Sequence, residues 1–313
     1  MRRRAITIVT VLVALAALAV VTPSQAIVVG IADQQAASFT DTRLTSLPVR
    51  HARLSVPWDA LDYGWQRREL DAWMRATADA KMAAVVTFGR SRTRQFRLPR
   101  VDEYRLQARR FMRRYKQVRE FSPWNEPNLA VHPQNYNPRR IASYYRVLRS
   151  LCRACKVLGA DVVDNSRLED WMRAYVKVFA AGSAPKLWGL HNYVDVNSTS
   201  SWGTRTMLRV APGLIWFTET GAIISRAKPT KTGNGDRRLL IRTGPRRAVA
   251  ATKRVFELAR SSPRITRVYI YHWRADRGTS WDSALVTAKG TLRPSFDVFA
   301  GQARLAQRRA AGG

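Results

Sequence analysis

The sequence predicts one α/β domain, a (β/α)8 TIM barrel. Three observations support this fold: eight short apolar runs, amphipathic stretches that separate them, and a length that suits one barrel with loop insertions. Strands covered on both faces read as nearly continuous apolar runs, as these do. An open doubly wound sheet would need a glycine-rich first turn, whereas the turn after the first run reads Asp33-Gln34-Gln35.

The first 26 residues are predicted to be a secretory signal peptide. Three arginines at 2–4 form a basic head, residues 6–21 form an apolar core, and small residues with Pro23 precede Ala26. The apolar core is short for a membrane span, although an uncleaved anchor remains the alternative. We therefore expect export with cleavage after Ala26, membrane contact only through this segment, and a single domain over 27–313.

The eight predicted strands follow in chain order. They occupy residues 27–32, 52–56, 83–88, 120–124, 157–160, 187–191, 215–218 and 267–271. The clearest predicted helices are 63–82, 101–115, 138–155, 167–181, 245–261 and 294–308. Pro138 and Pro245 stand where proline is favoured, in a first helical turn. Between the first two strands only 39–47 is available for a helix, which makes this the weakest unit.

Two strand ends carry the chemistry. Residues 121–128 read Phe-Ser-Pro-Trp-Asn-Glu-Pro-Asn, so Glu126 follows a short apolar strand between two amides. Residues 214–219 form a second apolar run that closes on Glu219. Two glutamates at the ends of buried strands suit cleavage of a glycosidic bond, where one carboxyl protonates the leaving oxygen and the other attacks the sugar. The alternative is that each glutamate ends a strand at an exposed loop.

Trp-Asn-Glu-Pro-Asn at 124–128, with Glu219 at a later strand end, resembles the retaining glycoside hydrolases of clan A. This 4/7 superfamily of (β/α)8 barrels includes families 5 and 39. In the clan, the glutamate after strand four is the acid/base and the glutamate after strand seven is the nucleophile. The resemblance therefore implies the acid/base role for Glu126 and the nucleophile role for Glu219, since the predicted strands put them after strands four and seven.

The resemblance also implies substrate-binding residues at other strand ends. Asn125 would bind the sugar 2-hydroxyl, and Arg53 on strand two would steady the nucleophile, although Arg50 lies near the same strand. His191 and Tyr193 follow strand six and, being two residues apart, can face the pocket together. The alternative is that His191 caps the strand and Tyr193 packs under a loop.

Two tryptophans are candidates for the sugar-binding floor and wall. Trp273, after strand eight, resembles the tryptophan on which these enzymes seat the sugar, and Trp58, after strand two, could form a second wall. An indole face packs well on the C–H surface of a pyranose. Both could instead be core residues, as we expect for Trp188 and Trp216 inside strands.

No metal or cofactor is expected. His51, His132, His191 and His272 show no metal-ligand spacing, and one Cys-x-x-Cys pair cannot supply four zinc ligands. Cys152 and Cys155 are expected to form a local disulfide or to remain buried thiols, without an assigned function.

The formal net charge of +32 favours anionic partners. The predicted loops 90–100 and 226–242 are the most basic segments and should lie on the active-site face of a barrel. They suggest an anionic glycan or cell-wall polymer as substrate, whereas the alternative is an arginine-rich solvated surface. No nucleic-acid motif accompanies the charge, so no specific nucleic acid is expected.

The sequence thus predicts an exported retaining glycoside hydrolase that acts on a poly- or oligosaccharide. Two alternatives stay open: a non-catalytic carbohydrate-binding barrel, and a secreted basic protein that binds anionic polymers or nucleic acid.

Overall fold

The computed structural model describes residues 27–129, 137–226, 243–278 and 280–311. The predicted signal peptide, His132 and nearly all of the predicted basic loop 226–242 lie outside these ranges. The bounds given below refer to the described residues.

Within these ranges the chain forms eleven strands, β1 to β11. In chain order they are Val28–Ala32, His51–Pro57, Ala83–Gly89, Glu120–Ser122, Lys156–Val157, Asp161–Val163, Leu187–His191, Leu214–Thr220, Ser225–Arg226, Ile265–Tyr271 and Trp281–Asp282. Nine of them form one parallel sheet in the order β5-β4-β3-β2-β1-β10-β8-β7-β6. The remaining two, β9 and β11, pair antiparallel with each other.

The strands at the two ends of the sheet, β5 and β6, together occupy the position of the fifth strand of an eight-stranded barrel. Residues 158–160 separate β5 from β6, and their backbone stays between the neighbouring strands. The Leu158 N–H donates to the Phe121 carbonyl (2.8 Å), and the Gly159 N–H donates to the Leu187 carbonyl (2.8 Å). The sheet therefore closes, and the predicted (β/α)8 barrel is confirmed. The predicted strand 157–160 has the right position but the wrong bounds.

Nine α-helices lie in the described ranges. In chain order, α1 to α9 are Thr42–Thr45, Gly64–Asp79, Val101–Arg114, Pro138–Leu151, Leu168–Val176, Tyr193–Val196, Trp202–Val210, Ala248–Arg260 and Ser295–Ala311. The six clearest predicted helices are present; five have shorter bounds, and the last, α9, begins one residue later and ends three residues later than predicted. Pro138 begins α4, and the Asn137 side chain accepts from the Arg139 N–H (2.8 Å), as expected for an N-cap. The weak unit after β1 contains only α1 and the 3-10 helix Ala36–Thr40.

The sequence analysis missed helix α7. Its local N-cap residue, Ser201, makes no side-chain cap bond. The Ser200 hydroxyl accepts from the Trp202 N–H (3.0 Å), and the buried Asp195 carboxylate accepts from the N–H groups of Gly203 (3.1 Å) and Thr204 (2.6 Å). Most of this cap comes from Asp195 in α6, which leaves no signature directly before the helix.

Side chains fill the barrel interior at the N-terminal ends of the strands. An apolar cluster formed by Ala32, Val85, Leu158, Trp216 and Tyr269 lies next to them, toward the C-terminal ends. The Arg267 guanidinium lies over the Trp216 ring, 3.9 Å from its centroid, and donates to Glu120 and to the Tyr269 hydroxyl. Lys156 also contacts Glu120, with Nζ 3.3 Å from Oε1. We refer to His51, Glu120, Lys156 and Arg267 as the basal cluster.

Cys152 and Cys155 form a disulfide directly after α4, with their sulfur atoms 2.00 Å apart. This is one of the two states that the sequence left open. Among the helices of the described ranges, none combines the length and apolarity that a bilayer span requires.

Candidate active site

A cleft of about 490 Å³ opens at the C-terminal ends of the strands, where (β/α)8 enzymes carry their active sites. Residues from six strand ends meet there. Its walls are formed by Gln34, Ser55, Pro57, Gly89, Arg90, Ser91, Arg92, Gln95, Asn125, Glu219 and Tyr271. The lining is predominantly polar, which suits a hydroxyl-rich ligand better than an apolar one.

Glu219 reaches this cleft because β8 carries a bulge. Between Trp216 and Glu219 the strand advances three residues while its partner β7 advances two, from Gly189 to His191. The same shift occurs against β10. Strict alternation would send Thr218 and Glu219 to opposite faces, but the extra residue turns both side chains toward the barrel axis. Bulges of this kind commonly re-aim side chains at active sites.

Two donors hold the Glu219 carboxylate. Arg53 Nη1 donates to Oε2 (2.8 Å), and the Tyr193 hydroxyl donates to Oε1 (3.1 Å). The side chain of Glu219 is 15% exposed, so it is open to the cleft while both of its oxygens are oriented. Arg53 and Tyr193 therefore lie where the sequence predicted them.

Glu126 is aimed by an unusual backbone conformation. Its φ is +49°, in the left-handed region that costs a non-glycine residue roughly 1–2 kcal/mol. The Glu126 N–H donates to the Asp161 carbonyl (2.8 Å), which helps to hold this turn. The side chain then meets His191, whose Nδ1 lies 2.8 Å from Oε1.

Arg53 is fully buried and joins the two sides of the site. While its Nη1 binds Glu219, its Nη2 donates to Asn125 Oδ1 (2.7 Å) and to Asp161 Oδ2 (2.6 Å). Burial alone would lower the pKa of Arg53, but the carboxylates of Asp161 and Glu219 outweigh it and raise the pKa above its ordinary value. The bond to Asn125 fixes its side-chain amide at the cleft wall.

His191 is also fully buried, and three carboxylates surround it. Nδ1 faces Glu126, Nε2 lies 3.2 Å from Asp161 Oδ1, and Glu219 Oε2 is 3.9 Å from Nδ1. Burial lowers the pKa of His191, but Asp161 and Glu219 outweigh it and raise the pKa to about 10. Arg53 Nη2 lies 3.1 Å from Nε2, a contact between cations that the surrounding carboxylates offset. The surrounding carboxylates therefore favour the protonated form of His191.

Glu126, His191 and Glu219 form one compact group. An atom of each side chain lies within 4.8 Å of those of the other two. The spacing would also suit a cation, but both His191 nitrogens already face carboxylates and Arg53 already pairs with Glu219. We refer to Arg53, Glu126, Asp161, His191 and Glu219 as the upper cluster.

Asp161 is a member of this cluster that the sequence analysis missed. It begins β6, just after the gap in the fifth barrel position, and points to the barrel axis. Its pKa is lowered despite complete burial, because the charges of Arg53 and His191 outweigh the cost of desolvation. An acid among the apolar residues 157–163 was the signal that could have revealed it.

Tyr193 is held by two buried polar side chains. Asp164 accepts from the N–H groups of Val194 (3.0 Å) and Asp195 (2.8 Å), which fixes the first turn of α6. Burial raises the pKa of Asp164 well above its ordinary value. The Asn197 amide donates to the carbonyls of Tyr193 and Gly221, both at 2.9 Å, and so joins α6 to the segment after Glu219.

The structure corrects the placement of both predicted sugar-binding tryptophans. Trp273 is fully buried: its backbone N–H donates to Asp33 Oδ2 (2.8 Å) and its indole N–H donates to Asp41 Oδ2 (3.0 Å). The aromatic residue of β10 that lines the cleft is Tyr271.

Trp58 is 3% exposed and lies outside the cleft lining. The guanidinium groups of Arg94 and Arg97 lie 5.3 and 5.6 Å from its ring centroid. Trp58 therefore supports the 90–100 segment by packing under its arginines, and it does not form a side of the cleft.

Most arginines of that segment pair with acids from neighbouring elements. Arg94 Nε lies 3.2 Å from the buried Asp59, while Arg97, Arg92 and Arg100 pair with Glu103, Glu69 and Asp102. The segment is thus tied down by its own charges. Arg90 and Arg92 nevertheless line the same cleft as Glu219.

No protein-family model matches the sequence, and no curated protein matches it. Solved structures match at low identity. A family 39 glycoside hydrolase from Bacteroides cellulosilyticus WH2 gives a TM-score of 0.63 at 13% identity, covering 90% of this chain and 64% of that one. A family 5, subfamily 18 glycoside hydrolase from Streptomyces cattleya, solved with GlcNAc, gives 0.60 at 13%, covering 90% and 81%. Xylanase 10B from Thermotoga maritima gives 0.63 at 9%, covering 92% and 97%.

At these identities the likeness establishes a shared (β/α)8 fold. The chain spans about two thirds of the length of the family 39 structure and most of the length of the other two. All three similar structures carry names of glycoside-cleaving enzymes, and two belong to the families that the Trp-Asn-Glu-Pro-Asn motif resembles.

Proposed function

We propose that the protein is a retaining glycoside hydrolase in which Glu126 is the acid/base and Glu219 is the nucleophile. The observation that carries this proposal is the short separation of the two carboxyl groups, whose nearest oxygens lie within 4.8 Å. Retaining pairs are about 5–5.5 Å apart, whereas inverting pairs need about 6.5–9.5 Å to admit a water molecule. Glu219 and Asn125 line a polar cleft at the end of the barrel where such sites occur, and the Glu126 side chain is 22% exposed.

In the first step, a Glu219 oxygen attacks the anomeric carbon while Glu126 protonates the departing glycosidic oxygen. The C–O bond to the leaving group breaks and a glycosyl ester to Glu219 forms. The upper cluster contains three carboxyl groups and two cations, so its charges cancel when Glu126 carries the proton that this step requires. Arg53 and Tyr193 keep Glu219 in one orientation for the attack.

In the second step, Glu126 accepts a proton from water, and the hydroxyl oxygen displaces Glu219 from the sugar. His191 donates to Glu126 Oε1 and fixes the carboxyl group through both steps. Asn125 is held by Arg53 through its carbonyl oxygen, so its NH₂ group remains for a sugar hydroxyl. A hydrogen bond to the 2-hydroxyl would strengthen as positive charge develops on the sugar ring.

The test is a panel of aryl glycosides and polysaccharides with matched glutamate variants. We expect turnover by the wild type, loss of at least about 1000-fold with Glu219→Gln, and no change with Glu257→Gln on the exposed face of α8. Azide should rescue Glu219→Ala and give a glycosyl azide of inverted configuration. Glu126→Ala should be slowed most on substrates with basic leaving groups.

Two outcomes would contradict the assignment. NMR shows which anomer of the product is released first. If the wild type releases the inverted anomer first, the double displacement is ruled out. Saccharide binding without turnover of any substrate would instead identify a non-catalytic carbohydrate-binding barrel.

We further propose that the substrate carries anionic groups. Arg90 and Arg92 line the cleft beside Asn125 and Glu219, and the arginine fork suits carboxylate and sulfate groups. The kcat/KM on a uronate-containing or sulfated polymer should exceed that on a neutral polymer of the same linkage and should fall steeply between low and physiological salt. A flat salt response with preference for the neutral polymer would exclude this role.

Export remains a prediction from the first 26 residues. Protein recovered from the medium should begin at or near Ile27 when its N-terminus is sequenced. An intact Met1 on that protein would exclude cleavage.

A further inference from the structure

Asp161 is the most completely bonded side chain of the upper cluster. Oδ2 accepts from Arg53 Nη2 (2.6 Å) and from the Thr87 hydroxyl (2.9 Å). Oδ1 accepts from the Thr218 hydroxyl and lies 3.2 Å from His191 Nε2. The side chain is 0% exposed, so these four partners replace all contact with solvent.

The backbone of β7 passes so close to the Asp161 carboxylate that no side chain fits between them. A Cβ at Gly189 would lie 2.2 Å from Asp161 Oδ1, so β7 can pass here only with a glycine. The carbonyl of Asp161 meanwhile accepts from the Glu126 N–H (2.8 Å) in its left-handed turn. Asp161 thus contacts the backbone of Glu126 and also the side chains of Arg53 and His191, which bind Glu219 and Glu126.

We propose that Asp161 is the positioning residue of the site, which holds Arg53 against Glu219 and His191 against Glu126. This inference rests on the proposed retaining mechanism. Asp161 touches neither the cleft nor the reacting atoms, so it acts only through its two cationic neighbours.

The negative charge of Asp161 matters as well as its shape. Arg53 Nη2 and His191 Nε2 are 3.1 Å apart, and two cations at that distance repel each other unless an anion lies between them. Asp161 lies 2.6 Å from Arg53 Nη2 and 3.2 Å from His191 Nε2, so it is close to both of these nitrogens. The charged groups that face His191 are Asp161 on β6, Glu219 on β8, Glu126 after β4 and Arg53 on β2, with the Tyr193 hydroxyl bonded to Glu219.

Removing the charge should therefore disturb both glutamates together. In Asp161→Asn the new NH₂ group would face either Arg53 or the ring N–H of His191, both of which are donors. His191 would lose its strongest counter-ion, so the pKa of its ring would fall. The orientation of Arg53 toward Glu219 and the hydrogen bond to Glu126 would weaken in the same variant.

The experiment combines kinetics with histidine NMR on the full chain. Asp161→Asn should lower kcat/KM on an aryl glycoside roughly 100-fold, mostly through kcat. The matched control is Glu120→Gln, which removes a buried carboxylate from a buried arginine at the other end of the barrel and should keep kcat/KM within about threefold. An Asp161→Asn variant within about threefold of the wild type would overturn the proposal.

Histidine ring NMR separates a positioning role from a structural one. With ¹⁵N-labelled histidine, and His191→Asn to assign the signal among four histidines, wild-type His191 should carry both ring protons at pH 8. In Asp161→Asn it should be neutral at pH 8. A neutral His191 in the wild type, or an imidazolium that persists in the variant, would overturn the charge argument.

Failure of the variant to fold would leave the proposal testable. Thr218→Val removes one donor from Asp161 without changing its charge and should lower kcat/KM about tenfold, and unchanged activity there would count against positioning. The wild-type NMR measurement needs no variant at Asp161. If no glycoside is cleaved, the mechanism fails, while the NMR result still decides the Asp161–His191 pairing.

Discussion

Each end of the barrel combines a buried arginine with at least one carboxylate and a histidine, but the balance of charge differs. In the upper cluster, carboxylates outnumber cations and raise the pKa of His191 to about 10. In the basal cluster, Glu120 faces both Arg267 and Lys156. There, burial and the charge of Arg267 lower the pKa of His51 to about 4.

The difference shows what turns a buried ion pair into a reactive site. Arg267 is covered by the Trp216 ring and by Glu120, and no residue of the basal cluster lines the cleft. Arg53 instead binds the carboxylate of Glu219, which lines the cleft, so its charge acts at the cleft wall. Under the proposed mechanism, the same residue types therefore serve stability at one end and chemistry at the other.

The largest expected effect contrasts the two arginines. Arg53→Lys should lower kcat/KM about 1000-fold, because a single ammonium cannot bond Glu219, Asn125 and Asp161 in the fork geometry. Arg267→Lys should leave kcat/KM within about threefold and lower the melting temperature. Steady-state kinetics and thermal unfolding of both variants make the comparison. Equal losses of activity in the two would show that the ends are not functionally distinct.

The second effect concerns stability alone. Glu120→Gln should lower the free energy of unfolding by roughly 3 kcal/mol, because Arg267 stays buried without its counter-charge. Replacing both partners, as in Glu120→Leu with Arg267→Met, should recover much of that loss. Urea denaturation measures all three proteins. A double variant less stable than Glu120→Gln would mean that the ion pair is favourable in itself.

The third effect is an opposite pH dependence at the two ends. The pKa of His191 is raised, so its contribution to stability is complete below about pH 6.5 and is lost as the pH rises toward 10. The pKa of His51 is lowered, so His51 costs stability as the pH falls from about 6.5 to 4.

Melting temperatures from pH 4 to 10 test this contrast. Relative to the wild type, His191→Asn should be most destabilised below pH 6.5, with the difference shrinking toward pH 10. His51→Asn should gain stability relative to the wild type as the pH falls below 6.5. Parallel curves for the two variants would refute the difference in charge balance.

The smallest expected effect is the loss of one hydrogen bond to Glu219 in the upper cluster. Tyr193→Phe removes one donor from Glu219 and should lower kcat/KM about tenfold, near the lower end of the value of a hydrogen bond to a charged group. Tyr104→Phe, which removes a buried hydroxyl bonded to the Pro123 carbonyl, is the control and should change only stability. Equal kinetics for the two variants would remove Tyr193 from the site.

Much of the upper cluster could be predicted from the sequence because parallel strands deliver their ends to one edge. Arg53, Asn125, Glu126, His191 and Glu219 are each within or just after an apolar run, and the structure brings all five together. The basal cluster was not predicted, since Glu120, Lys156 and Arg267 look like ordinary charges at strand starts. Pairing of β4 with β5 puts Glu120 beside Lys156, and closure of the barrel brings Arg267 to them.

The errors have local physical causes. Alternation along β10 puts Tyr269 and Tyr271 on one face, which was the signal that Tyr271 lines the cleft. Trp273 lies beyond the strand, where alternation no longer applies, and its two N–H groups are bound by acids from the segment after β1. The gap between β5 and β6 hid Asp161, and the bulge that turns Glu219 inward has no sequence signature.

The buried amide of Asn197 has a consequence for producing this protein. Asn197-Ser198-Thr199 is an acceptor sequence for N-linked glycans, yet the Asn197 side chain donates to two carbonyls and accepts from the Ile223 N–H (2.8 Å). A eukaryotic secretory host attaches glycans while the chain is still extended. A glycan there would remove an amide hydrogen and force a bulky group between α6 and the segment after β8. Chains glycosylated at Asn197 should therefore be retained as misfolded, so a bacterial host is the better choice for expression.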